Sequence, residues 1–293
     1  MALSGARYPI AAGHYRGAVS DVGAGLAGLW YDDQPVTVDY PADSLPPMSS
    51  GTVLMPWPNR IRDGRYTFDG VEQQLPLTEP PTMNASHGLV KWERWLISEK
   101  DEASVTLALD LVPQRGYPFE LSMTIRYAVS DSGLTVETSV RNVGSSAAPF
   151  GAGFHPYIDL GTHDLDHAEL QIPAKTMLTV DERKVPVGRS PVAGTPYELA
   201  DLRPLGTLRL DRAFMDLTDT RAVVRVGGRS TEVWWDEKFG CVQVFTPPEI
   251  TPGRRAIAIE PMSCPANAFN TGDGLVRLQP GEEWTGTWGI RLD

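Results

Sequence analysis

An all-β fold, a large antiparallel sandwich or barrel, is what this chain of 293 residues predicts, and three observations carry that expectation. Its 28 glycines and 25 prolines break the sequence every dozen positions or so rather than pooling in one place, which suits many short strands. Between the breaks, several runs alternate apolar and polar residues with the period of two that a half-buried strand requires. Helical periodicity is scarce, and the early segment Gly23 to Leu29 is too rich in glycine for a stable helix.

Taken in order, the elements support this reading. Val105, Leu107, Leu109 and Leu111 alternate before Pro113. Leu121, Met123, Ile125, Tyr127 and Val129 share one face of the next run, and Leu134, Val136, Thr138 and Val140 share a face of the run after it. Ser130-Asp131-Ser132-Gly133 between them completes a hairpin. Residues 173–210 contain five prolines and few alternating runs, so they read as long loops and edge strands. Val223 to Val226, Val233 to Trp235 and Val242 to Phe245 are short β-rich runs. Ala256-Ile257-Ala258-Ile259 reads as a buried strand that ends at Glu260, whose side chain emerges at the sheet edge because Pro261 cannot continue the ladder. Trp284, Gly286, Trp288 and Ile290 alternate once more. No linker, internal repeat or low-complexity tract interrupts the chain, so residues 1–293 are expected to form one domain.

Composition narrows the partners. A hydrophobic fraction of 41% and a charged fraction of 22% are those of an ordinary globular protein with a substantial core. The formal net charge of -11 repels phosphate backbones and anionic lipid, so neither nucleic acid nor a membrane is expected as a partner. The start of the chain lacks the apolar core of a signal peptide, and no apolar stretch reaches spanning length, so the expected location is the cytoplasm. The two cysteines, Cys241 and Cys264, fit that compartment as small buried thiols.

Chemistry concentrates in a few segments. Glu260 is a lone carboxylate closing an apolar run, and a salt-bridged strand-end glutamate is its ordinary alternative. His87 precedes Gly88, whose backbone freedom presents the ring at a loop tip. His155 lies in Gly153-Phe154-His155-Pro156-Tyr157, where small residues and a proline fix its approach. Met55-Pro56-Trp57-Pro58-Asn59-Arg60 is a proline-stiffened loop. Its Arg60 fork suits ligand oxygens, with a surface ion pair as the alternative. Trp57 and Trp92 stand close to these polar groups as aromatic faces suited to a ring bearing hydroxyls, although most tryptophans fill cores. Asp211 reads as a ligand carboxylate or a turn cap. His163 and His167 have a spacing that chelates metal on a helix, but the segment lacks a helical face, so no metal is expected. No phosphate-cradling loop, Cys-x-x-Cys or dinucleotide fingerprint appears, and no cofactor is expected.

Pro58-Asn59-Arg60-Ile61, Ser86-His87-Gly88, Gly153 to Tyr157, Leu210-Asp211-Arg212-Ala213-Phe214 and Ile259-Glu260-Pro261 follow one another as in the aldose 1-epimerases, or galactose mutarotases. The chain resembles that family over nearly its whole length. The resemblance implies a β-supersandwich and cofactor-independent interconversion of the α and β anomers of a free aldohexose. It implies His155 as general acid, Glu260 as general base, and Arg60, His87 and Asp211 as holders of the sugar's oxygens, with Asn59 supporting the loop. The base must start charged and the acid protonated, and their proximity is expected to favour both charged forms. The segment Phe245 to Glu249 differs from a glutamine-bearing loop that some members use on the sugar. Two rival readings stay open: a hexose 6-phosphate epimerase using Arg62, Arg254 or Arg255, and a non-catalytic sugar-binding module. The expected partner is a small sugar, and monomer and homodimer are both compatible with the sequence.

Overall fold

The computed structural model describes residues 3–247 and 255–293, and most of the strand residues among them lie in two antiparallel sheets. The nine-stranded sheet runs Leu96–Lys100, Ser104–Leu111, Leu121–Ser130, Gly133–Asn142, Glu283–Leu292, Arg229–Trp235, Arg221–Val226, Glu169–Gln171 and Arg203–Pro204. The eight-stranded sheet contains, in order, Pro186–Pro191, Ala174–Val180, Asp211–Leu217, Cys241–Phe245, Ala256–Met262, Gly153–Phe154 and Val53–Leu54. Its remaining strand, Tyr157–Asp159, also pairs with Ala256–Met262. A four-stranded sheet, Arg7–Ala12 to Gln34–Pro35, precedes both in the chain. The described residues form one short α-helix, Ala268–Thr271, and no helix among them is long and apolar enough to cross a membrane.

Alternation in sequence becomes alternation in burial. The hairpin pairs from Ser130 opposite Gly133 to Leu121 opposite Asn142. Leu121, Met123, Ile125 and Tyr127 are fully buried, each contributing on the order of 1.5–3 kcal/mol by removal from water. One hydrophobic cluster joins the inner faces of the two large sheets, from Tyr127, Val136 and Trp288 to Phe154, Phe214, Val242 and Ile259. Cys241 and Cys264 are free and buried, as expected of structural thiols. The proline-rich stretch supplies Pro186–Pro191 and Arg203–Pro204 to the edges of the two sheets, where a missing N–H leaves no ladder bond unmade.

One expectation needs correction. The strand that carries Glu260 does not end there but continues through Pro261 to Met262, buried along its full length. Pro261 is tolerated because the ladder on one side is interrupted. Tyr157–Asp159 pairs with Ala256 to Ala258, Gly153 pairs with Met262, and between them the regular pairing lapses, with Ile259 N donating to the Pro156 carbonyl at 3.3 Å. Glu260 therefore stands within the sheet and not at its edge.

Candidate active site

Odd and even residues of the eight-stranded sheet have different fates. Val242, Val244, Ile257 and Ile259 point into the main core, so Gln243, Phe245, Ala258 and Glu260 point to the opposite face. On that face Leu178, Ala213, Met215, Cys241 and Met262 form one small apolar cluster, and Val38, Tyr157, Ala256 and Ala258 with Phe245 form another. The polar side chains sit between them. Gln243 pairs with Glu260 across the ladder, and Asp211 pairs with Phe245. Counting two residues inward from Gly153 opposite Met262, and from Tyr157 opposite Ala258, sets His155 opposite Glu260 at the interrupted step. His155 Nε2 lies 3.4 Å from Glu260 Oε1.

Two further segments wall the cavity. Pro56 accepts a hydrogen bond from Gly151 N at 2.7 Å, and a Cβ on Gly153 would come within 2.7 Å of Pro58 Cβ. The loop thus packs tightly on the strand that leads to His155. Asn59 and His87 both adopt left-handed backbone, with φ of 55° and 62°, and His87 N donates to the Asn59 carbonyl at 2.8 Å. Gly88 is also left-handed, and a Cβ there would sit 1.8 Å from the Met55 carbonyl oxygen, so only glycine fits. The His155 ring stacks on Tyr157 at 5.0 Å and meets the His87 ring edge-on at 5.6 Å. Strain and contact on this scale hold a side chain in one orientation.

The cavity, of about 290 Å³ and open to solvent on one side, is lined by Arg60, His87, His155, Asp211, Gln243 and Glu260, with Glu79, Lys91 and Tyr157 completing its polar wall. Gln243 Nε2 donates to Asp211 Oδ1 at 2.8 Å, and Lys184 Nζ lies 3.1 Å from Asp211 Oδ2. Glu260 Oε2 and the Nδ1 atoms of His155 and His87 are buried without hydrogen-bond partners among the described residues. Such atoms are rare in folded proteins and suit a ligand rich in hydroxyls.

Burial dominates the electrostatics. It pushes the Glu260 carboxyl well above its ordinary range, with Asp211 adding to the effect and Arg60 opposing it. It pushes the His155 imidazole down to about 3, and it holds His87 well below its usual value with help from the His155, Lys91 and Arg60 charges. The expectation that proximity would favour a charged Glu260 and a protonated His155 is thereby corrected for the empty cavity. His155 is 5% exposed and Glu260 2%, so the cost of removing both charges from water exceeds their mutual attraction. Burial thus works against the charged form of each group.

Of the residues singled out in the sequence, His155, Glu260, Arg60, His87, Asp211 and Asn59 all line this one cavity. Trp57 does not. It is buried beneath the loop, 5.7 Å from Phe269 and 6.5 Å from Tyr117 between ring centroids, because its flanking prolines turn the ring into the core. Trp92 is half exposed beside Lys91. Arg62 is paired with Asp181, and neither it nor Arg255 lines the cavity; Arg254 lies outside the described residues, as do Pro248 and Glu249. His163 packs against Gly227, away from the cavity, and no group of three or more metal-ligating side chains occurs among the described residues. Gln243, Glu79 and Lys91 went unnoticed. Gln243 shares with Glu260 the signal of a polar residue inside a β-rich run, and it places a glutamine on the cavity wall from a strand rather than from a loop. Glu79 and Lys91 sit in loops whose sequence does not mark them.

A family model described as aldose 1-epimerase matches residues 7–291. The uncharacterized protein YihR of Escherichia coli K12 is 35% identical over 291 residues, covering 96% of this chain and 92% of that one. The galactose mutarotase of Rattus norvegicus is 32% identical over 166 residues, 53% of this chain and 46% of the relative. Among solved structures, a GalM/aldose epimerase homologue from C. elegans superposes with a TM-score of 0.87 at 18% identity, covering 98% of each chain, and so shares the fold.

Proposed function

This chain belongs to the aldose 1-epimerase family, and from that premise we propose that it interconverts the α and β anomers of a free aldohexose. The observation that carries the proposal is the opposition of His155 and Glu260, 3.4 Å apart on one cavity wall, each with an unpartnered buried atom. Glu260 as carboxylate takes the proton from the C1 hydroxyl while His155 as imidazolium gives one to the ring oxygen. The C1–O5 bond breaks and C1 becomes an aldehyde. Both protein groups are then neutral, the state that burial favours in the empty cavity, so the site is suited to the open-chain intermediate. Rotation about C1–C2 and the reverse transfers close the other anomer. Arg60, His87, Asp211 and Gln243 surround the ring with donors and acceptors. Positioned acid and base groups supply roughly 10²- to 10⁴-fold each, ample for a reaction that already proceeds in water.

Polarimetry on freshly dissolved α-glucose and α-galactose, with and without protein, tests this reading. Unchanged rates with both sugars, despite measurable sugar binding, would favour a non-catalytic binding module instead.

One observation supports a second reading, a hexose carrying an anionic group. Arg60 is matched by Glu79 and Lys184 by Asp211, whereas Lys91 lines the cavity with no ion pair among the described residues. Burial lowers its pKa, which a bound anion would reverse. Faster mutarotation of glucose 6-phosphate than of glucose, lost in Lys91→Met and competed by inorganic phosphate, would establish this alternative.

A further inference from the structure

Arg60 is held from the side away from its loop. Its Nε donates to Glu79 Oε2 at 2.6 Å and its Nη2 to Glu79 Oε1 at 2.7 Å, while Nη1 reaches Asn59 Oδ1 at 3.2 Å. Three of the guanidinium's five N–H bonds are therefore committed, and the two that remain are those available to a ligand. Glu79 is itself fixed, accepting a hydrogen bond from the Thr82 hydroxyl, and its backbone bridges to Asn84. That bridge continues a pairing in which Arg60 stands opposite Ser86, so both partners of the ion pair hang from one small ladder beside His87.

We propose that Glu79 is the positioning residue of this site: it fixes the orientation of the Arg60 fork and offsets its charge, so that the two uncommitted N–H bonds of Arg60 are presented to the sugar in one geometry. The proposal rests on the mutarotase reading for its kinetic consequence and on geometry alone for the pairing. Burial raises the Glu79 carboxyl, but hydrogen bonds from Arg60 and Thr82 outweigh it and leave Glu79 ionised below its ordinary value. Glu260 in turn faces Asp211, Arg60, His155 and Tyr157, with Lys91 and His87 across the cavity and the buried Cys241 thiol behind it. Arg60 is the cation that opposes the raised Glu260 carboxyl, so an unbalanced Arg60 lowers that carboxyl.

The test is Glu79→Gln, which keeps the shape and removes the charge, beside Glu79→Asp, which keeps the charge and shortens the reach. With galactose and glucose, Glu79→Gln is expected to raise KM roughly tenfold or more through a misplaced fork and to move the acid limb of the pH profile downward by about one unit. Glu79→Asp should raise KM while leaving the limb in place. Wild-type KM and an unmoved limb in Glu79→Gln, even with a lowered melting temperature, would reduce Glu79 to a structural ion pair and overturn the proposal. Should the wild-type protein prove inactive on hexoses, the mutarotase reading fails separately. The Arg60 Nε–H resonance then decides the pairing: exchange-protected in wild type and fast-exchanging in Glu79→Gln supports it, and equal exchange in both overturns it.

Discussion

His155 and Glu260 occupy one register of one sheet from neighbouring segments, with Nε2 and Oε1 3.4 Å apart where the ladder between them is interrupted. Their side chains share one face of the sheet and so one cavity wall.

Glu260→Gln keeps shape and hydrogen-bonding capacity but cannot accept the C1 hydroxyl proton. Mutarotation should fall by about 10²- to 10⁴-fold with the fold intact. Polarimetry with a parallel thermal melt checks it, and full activity would remove Glu260 from the mechanism.

The neutral histidines give stability a pH signature. His155 has a folded pKa of about 3 against 6.5 unfolded, so between those values the unfolded chain binds a proton that the native one refuses. Its contribution is present above about pH 6.5 and is lost as pH falls, at about 1.4 kcal/mol per pH unit. His87 acts in the same direction. Glu260, with a raised folded pKa, acts oppositely: the unfolded chain releases its proton above 4.5, so its contribution declines as pH rises past that value. His155→Gln should therefore flatten the acid side of a denaturation profile by about one proton, and an unchanged slope would contradict a neutral His155.

Gln243 links the Asp211 carboxylate to the strand of Glu260. Gln243→Ala should raise KM by about tenfold, the equivalent of one hydrogen bond left unmade, with a smaller change in kcat. An unaltered KM would make Gln243 a spectator.

Gly88→Ala forces a Cβ against the Met55 carbonyl at a left-handed backbone position. The backbone term alone costs about 1–2 kcal/mol, and the clash adds to it. Circular dichroism melts should show the loss, and activity should fall with it because His87 is the adjacent residue.

Trp57→Phe separates core from site. The indole packs on Tyr117 and Phe269, and its Nε1 finds no hydrogen-bond partner among the described residues, so the variant should lose about 1–3 kcal/mol of stability with KM within about twofold of wild type. A large KM effect would return Trp57 to the sugar.

The residues themselves determined the all-β class and the hairpin of Leu121–Ser130 with Gly133–Asn142, because alternation and glycine or proline placement are local properties written directly in the chain, and the motifs that resemble the family, in their order, pointed to most of the cavity's polar residues. What the tertiary structure decided was non-local. Glu260 sits inside the sheet because two short strands, not one, flank it, and Trp57 faces inward because the Pro56 to Pro58 turn packs against Gly151 and Gly153. Gln243, Glu79 and Lys91 belong to the cavity only through register and loop packing. Protonation followed the same rule: an acid and a base expected to meet in space suggest attraction between charges, but the depth of burial, a property of the assembled sheets, makes desolvation the larger energy.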